Sequence, residues 1–98
     1  MSNDKQLVTL ARKKVSRLKI LELIESYYPY SCELEQIKYS IDNENKTSII
    51  KHIAYLEDLG LITGDTGNSV CSKIGYKLTA KGIDFLDGFI SFIGIQSP

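Results

Sequence analysis

Apolar residues along the first third of the chain fall on a helical period. Between Leu7 and Tyr28 there is neither glycine nor proline, and Leu7, Leu10, Ala11, Leu18, Leu21 and Ile24 recur at spacings of three, four and seven, which marks one face of an α-helix. Pro29 predicts the end of this helix, because proline disfavours a helical residue before it and has no N–H to donate. Ser31 then predicts the N-cap of a second helix. Glu33 in its first turn complements the helix dipole, and Leu34, Ile37 and Ile41 form its inner stripe. The polar run Asp42-Asn43-Glu44-Asn45 predicts a turn, with Asn45 as the cap of a third helix.

The third helix is the most regular. It is predicted from Lys46 to Leu59, with Ile49, Ile53 and Leu56 at i, i+4 and i+7 on one face and Gly60 at its end. Leu61-Ile62-Thr63 reads as a short strand, Gly64 to Ser72 as a turn-rich loop, and Ile74 to Leu78 as a returning strand. Thr79 caps a last helix through Leu86, with Ile83 and either Phe85 or Leu86 turned inward, and Gly88 breaks the pattern. The predicted class is mainly α with a small β-hairpin, in the order helix-helix-helix-strand-strand-helix. Residues 1–88 form the domain and 89–98 an apolar C-terminal tail that packs on something. That order is the one expected of a winged helix-turn-helix, and no internal repeat competes with it.

Composition narrows the classes. A chain of 98 residues suits one hydrophobic core, and 43% hydrophobic with 24% charged residues is close to globular averages, so a folded domain is expected. The apolar runs fall far short of the roughly 20 residues a membrane helix needs, and the amino terminus has no basic start followed by an apolar stretch. The expectation is a cytoplasmic protein with no membrane partner. Cys32 and Cys71 are too few and too irregularly placed for a disulfide framework, which fits a reducing compartment. Twelve basic and twelve acidic side chains cancel, which argues against strong nonspecific DNA binding through total charge. The charges are nonetheless clustered: Arg12, Lys13, Lys14, Arg17 and Lys19 crowd one segment, and Asp84 and Asp87 lie near the end.

The stretch Ile49-Ile50-Lys51-His52-Ile53-Ala54-Tyr55-Leu56-Glu57-Asp58-Leu59-Gly60-Leu61-Ile62 resembles the recognition helix and first wing strand of ArsR- and MarR-like regulators. Tyr76-Lys77-Leu78-Thr79-Ala80-Lys81-Gly82 resembles their second wing strand and following helix. The overall length, the Leu-Thr-Ala-Lys-Gly segment and the closing Gly94-Ile95-Gln96-Ser97-Pro98 also look like small winged-helix proteins of Mu-like prophages. The resemblance implies sequence-specific double-stranded DNA binding by a prokaryotic or phage-encoded transcriptional regulator. Helix 46–59 would enter the major groove and the loop 64–72 would serve as the wing. The turn Asp42 to Asn45 departs from the family, being longer and more polar.

A rotation of about 100° per residue places Thr47, Lys51, Ala54 and Asp58 opposite the inner stripe, with Ser48 and Tyr55 flanking. In a major groove, Asn45, Lys46, Thr47 and Ser48 offer hydrogen bonds to base edges while Lys51 meets phosphate, and Tyr55 is a further candidate DNA contact on this helix. At the wing, Asn68, Ser69 and Lys73 are the candidates for phosphate or minor-groove contact, and Asp65 opposes it. The plainer reading of these residues is a solvated helix face and an ordinary hairpin loop. The cluster Arg12 to Lys19 is open to the same two readings.

Some ArsR-like regulators bind metal through cysteine and histidine, but no close-spaced cysteine pair occurs here, and His52 reads as a core-edge side chain. No metal, cofactor or small-molecule ligand is expected. Catalysis by a cysteine–histidine pair needs a cleft and an orienting group that a domain with one histidine does not offer, so no enzyme is expected. The competing function is a winged-helix protein–protein interaction module. The neutral charge and the apolar tail Phe85, Phe89, Ile90, Phe92 and Ile93 favour it. The same tail, or Val8 and Val15 beside the main stripe of the first helix, offers a seam for a homodimer, which two DNA half-sites require.

Overall fold

The computed structural model describes the backbone of residues 2–41, 46–65 and 74–98, with side chains from residue 8 onward within those spans. Helix α1 covers Ser2–Glu25, strand β1 Cys32–Glu33, helix α2 Leu34–Ser40, helix α3 Lys46–Asp58, strands β2 Ile62–Asp65 and β3 Gly75–Leu78, and helix α4 Ala80–Leu86. Among the described residues, the helices pack around an antiparallel sheet whose strand order is β1-β3-β2. Each element contributes apolar side chains to one core. Ile20, Leu21 and Ile24 come from α1, Ile37 and Ile41 from α2 and its end, Ile49, Ile53 and Leu56 from α3, and Phe85 from α4. Cys32, Leu61, Ile62, Leu78 and Ile95 complete it.

The inner stripe of α1 is shorter than its periodicity predicts. A helix of 24 residues spans about 36 Å, and among the described residues its buried side chains lie in its second half. Leu10 and Ala11, expected inside, are exposed, whereas Ser16, Ile20, Leu21 and Ile24 are buried. Period identifies a face, but it does not say how far along that face other elements reach. The helix also ends at Glu25 rather than Tyr28. Tyr27 N–H donates to Ile24 O at 3.1 Å and Tyr28 N–H to Glu25 O at 2.9 Å, so the chain tightens into i→i−3 bonds before Pro29.

The start of α2 corrects a second expectation. Ser31 does not cap it, because its hydroxyl donates to the Asp65 carboxylate at 2.8 Å. Cys32 and Glu33 pair instead with Tyr76 and Gly75 of β3, and α2 begins at Leu34 with no side-chain cap bond from Glu33. The expected two-stranded hairpin is therefore a three-stranded sheet. Cys32, expected at the start of the second helix, is a fully buried strand residue.

The end of α3 is built by a local hydrogen-bond pattern. Gly60 has φ +79°, Gly60 N–H donates to Glu57 O at 2.9 Å and Leu61 N–H to Leu56 O at 3.1 Å. These are the two bonds of a Schellman motif, and Leu56 and Leu61 supply its apolar contact. The chain then enters β2, which pairs with β3 from Ile62 opposite Leu78 to Asp65 opposite Gly75. Thr79 joins the two ends of this hairpin to α4. Its hydroxyl accepts from Gly82 N–H at 3.1 Å as an N-cap and donates to Gly60 O at 2.6 Å. Its own N–H donates to Leu61 O at 3.0 Å.

After Gly88, at φ +89°, the tail turns back across α1. Gln96 N–H donates to Lys14 O at 3.1 Å, Ile95 is buried, and the Phe92 ring lies 5.9 Å from that of Phe85.

Candidate nucleic-acid interface

Burial of Ile49, Ile53 and Leu56 turns the opposite face of α3 to solvent. Lys46, Thr47, Lys51, Ala54 and Asp58 are exposed there, and Ser48 and Tyr55 are half-buried at its edges. Helical geometry thus arranges Lys46, Thr47, Ser48 and Lys51 as the periodicity predicts. Asn45, Asn68, Ser69 and Lys73 lie outside the described residues, as do the turn 42–45 and the wing tip 66–73.

At the base of the wing, both nearby carboxylates are engaged within the fold. The Asp65 carboxylate accepts from the Ser31 hydroxyl. The Glu57 carboxylate accepts from Gly64 N–H at 3.1 Å. Burial, and then the Glu57 charge, push the Tyr76 phenol above its ordinary value.

Alongside α3, the exposed half of α1 forms the second wall of a groove of about 340 Å³. Arg12, Lys13 and Arg17 line it from α1, and Ser48, Lys51 and His52 from α3. The basic segment and the predicted recognition helix therefore share one concave surface, although some 40 residues of sequence lie between Arg12 and Lys51. Among the described residues, no carboxylate lies within ion-pair distance of Arg12, Lys13 or Lys51; the ion pair there is Lys38–Glu35 on α2, at 3.5 Å.

Arg17 has a role that no local pattern in the sequence signals. Its guanidinium carbon lies 3.9 Å above the centre of the Tyr55 ring. Its Nε donates to His52 Nδ1 at 3.2 Å, and its Nη1 donates to Gly94 O at 3.0 Å. One side chain thus ties α1 to α3 and to the tail, and the cation–π contact holds Tyr55 against it. His52, which sequence places at the edge of the core, is buried. Its Nδ1 accepts from Arg17, which places the ring proton on Nε2 whenever the imidazole is neutral.

No protein-family model, curated protein or solved structure matches the chain. No helix among the described residues is long and apolar enough to cross a membrane. Among those residues, no three His, Cys, Asp or Glu side chains gather as a metal site.

Cys32 has the environment of a packing residue. Burial, and then the neighbouring Glu33 charge, push its thiol from 9.0 up to about 11. The neutral thiol is favoured in the folded state, so the stability this provides is complete below pH 9 and is lost as pH rises towards 11. Urea melts across that interval should show wild type losing stability more steeply than Cys32→Ala. Parallel curves for the two proteins would show that Cys32 does not titrate this way.

Among the exposed apolar side chains are the two sets that offer a seam. Val8 and Val15 on α1 are 54% and 37% exposed, and Phe89 and Ile93 in the tail are 77% and 95% exposed.

Proposed function

We propose that this chain is a winged helix-turn-helix domain that binds duplex DNA, with α3 in the major groove and the β2–β3 hairpin as the wing, in the service of transcriptional regulation. The element order, the sheet order β1-β3-β2 and the tight turn from α3 into β2 support that architecture. The observation that carries the DNA reading is the outer face of α3. Lys46, Thr47 and Lys51 are exposed on it together, and that face continues into a groove lined with further cations. A net charge of zero does not oppose this, because phosphate responds to the local field more than to the total.

In this arrangement Thr47 and Ser48 face base edges and Lys51 faces a phosphate. Fluorescence anisotropy with a panel of duplexes tests the assignment. Lys51→Ala should weaken binding to every duplex by a similar factor and lower the salt slope by about one, as loss of a single phosphate contact does. An unchanged slope and affinity would remove α3 from the interface.

The exposed Phe89 and Ile93 are the specific observation in favour of a protein partner. An interface built on them would respond little to salt, which separates it from DNA binding in the same measurement.

A further inference from the structure

We propose that the groove between α1 and α3 is a phosphate-binding site, and that on duplex DNA it holds a backbone phosphodiester beside the major groove entered by α3. This assignment rests on the DNA-binding reading for its source of phosphate, but the chemistry of the groove stands on its own residues. The two helices present similar walls. On α1, Thr9 is followed at i+3 and i+4 by Arg12 and Lys13; on α3, Ser48 is followed at i+3 and i+4 by Lys51 and His52. Residues at those spacings share a helix face. Each wall therefore pairs a hydroxyl with a cation one turn further on, and Arg17 adds another cation.

Among the described residues, no carboxylate lines the groove. Cations gathered in a concave surface without lining acids raise the local positive potential, which concentrates anions. Phosphate suits this surface better than a single carboxylate because its several oxygens can accept from both walls at once. Arg17 is already oriented by Tyr55, His52 and Gly94, so little of its side-chain freedom remains to be lost on binding. Arg12 and Lys13, both exposed, supply the adaptable part. With α1 and α3 on one phosphate, the first helix acts as a clamp that sets how deeply α3 sits, a positioning role that carries no base information.

The test compares wild type with Arg12→Gln/Lys13→Gln in two titrations, after circular dichroism melts show that both proteins fold. In the first, anisotropy follows random-sequence duplex binding over a range of salt. The double variant should bind at least about tenfold more weakly at moderate salt, and the slope of log affinity against log salt should fall by about one to two, since each phosphate contact contributes about 0.9. In the second, inorganic phosphate is titrated while backbone amide resonances are followed by NMR. Thr9, Arg12, Ser48 and Lys51 should shift in wild type and not in the variant. If wild type binds duplex and the double variant binds as well with the same slope, the clamp is refuted while DNA binding by α3 stands. If duplex does not bind but phosphate shifts the groove amides, the phosphate site is upheld with a free anion as its ligand, and the DNA reading fails. If neither probe acts on wild type, both proposals are overturned.

Discussion

Phe85→Ala should lower folding stability by about 3–5 kcal/mol, as removal of a fully buried aromatic ring does elsewhere. The Phe85 side chain is fully buried in the core shared by all the helices, and its ring packs at a 37° tilt against Phe92. Truncation therefore has two consequences. It leaves a cavity that the backbone of α4 cannot close, because Thr79 anchors that helix to Gly60 and Leu61. It also removes the surface against which Phe92 holds the tail. With domain stabilities of about 5–15 kcal/mol, the variant should lose a large part of its margin. Its thermal midpoint should drop by roughly 4–8 °C for each kcal/mol lost. Equilibrium urea melts measure this directly, and a loss below about 1 kcal/mol would mean that the ring is not packed as described. The tail should loosen as well, seen as faster amide exchange at Gln96, whose N–H bonds to Lys14 O.

Gly82→Ala should be the second most damaging of the changes considered, at about 2 kcal/mol or more. Helix propensity alone predicts the opposite sign, since alanine exceeds glycine by about 1 kcal/mol inside a helix. Packing reverses it. A β-carbon at position 82 would press on the carbonyl oxygen of Leu61 and approach Leu78 Cδ1 at 2.6 Å. The Leu78 side chain can turn away only into a closed core. The Leu61 carbonyl is held by Thr79 N–H at 3.0 Å, so relief requires α4 to lift from the base of the hairpin. Such overpacking costs about 1–3 kcal/mol, and loss of the Thr79 bonds adds to it. A thermal midpoint equal to or above that of wild type would show that α4 does not approach the turn this closely.

These two sites bear on what the sequence makes legible. Helix α3 can be read from end to end because its inner stripe, its exposed face and its terminating glycine are all local features, and each follows from helical geometry. The Leu-Thr-Ala-Lys-Gly segment is legible for the same reason, and its chemistry now has an account: the threonine ties α4 to the turn after α3, and the glycine lets it approach. Strand β1 is not legible. Two residues cannot display an alternation, and the pairing that makes them a strand lies with Gly75 and Tyr76, more than 40 residues away. Ser31 misleads for a related reason: a serine before an apolar stripe has the chemistry of a cap, but its hydroxyl is taken by Asp65.

The candidate interface divides in the same way. The outward set Lys46, Thr47, Ser48 and Lys51 follows from counting residues around α3. The groove it shares with Arg12 and Lys13 does not, because it depends on how α1 crosses α3. The triple role of Arg17 is hidden further still, since one of its partners, Gly94, is 77 positions away. A run of basic residues in a sequence does not reveal which member is held on an aromatic ring and which extend into solvent. Here Arg17 is the one held on Tyr55, while still lining the groove, and Arg12, Lys13 and Lys51 are exposed.

Duplex binding by α3 and its neighbouring cations is tested most directly by the affinity of the wild-type protein for a random-sequence duplex, measured by anisotropy from low to moderate salt. The expected result is binding at low salt, with log affinity falling linearly as log salt rises, at a slope corresponding to several phosphate contacts. Absence of binding at low salt by a protein shown to be folded, or binding that does not change with salt, would contradict it.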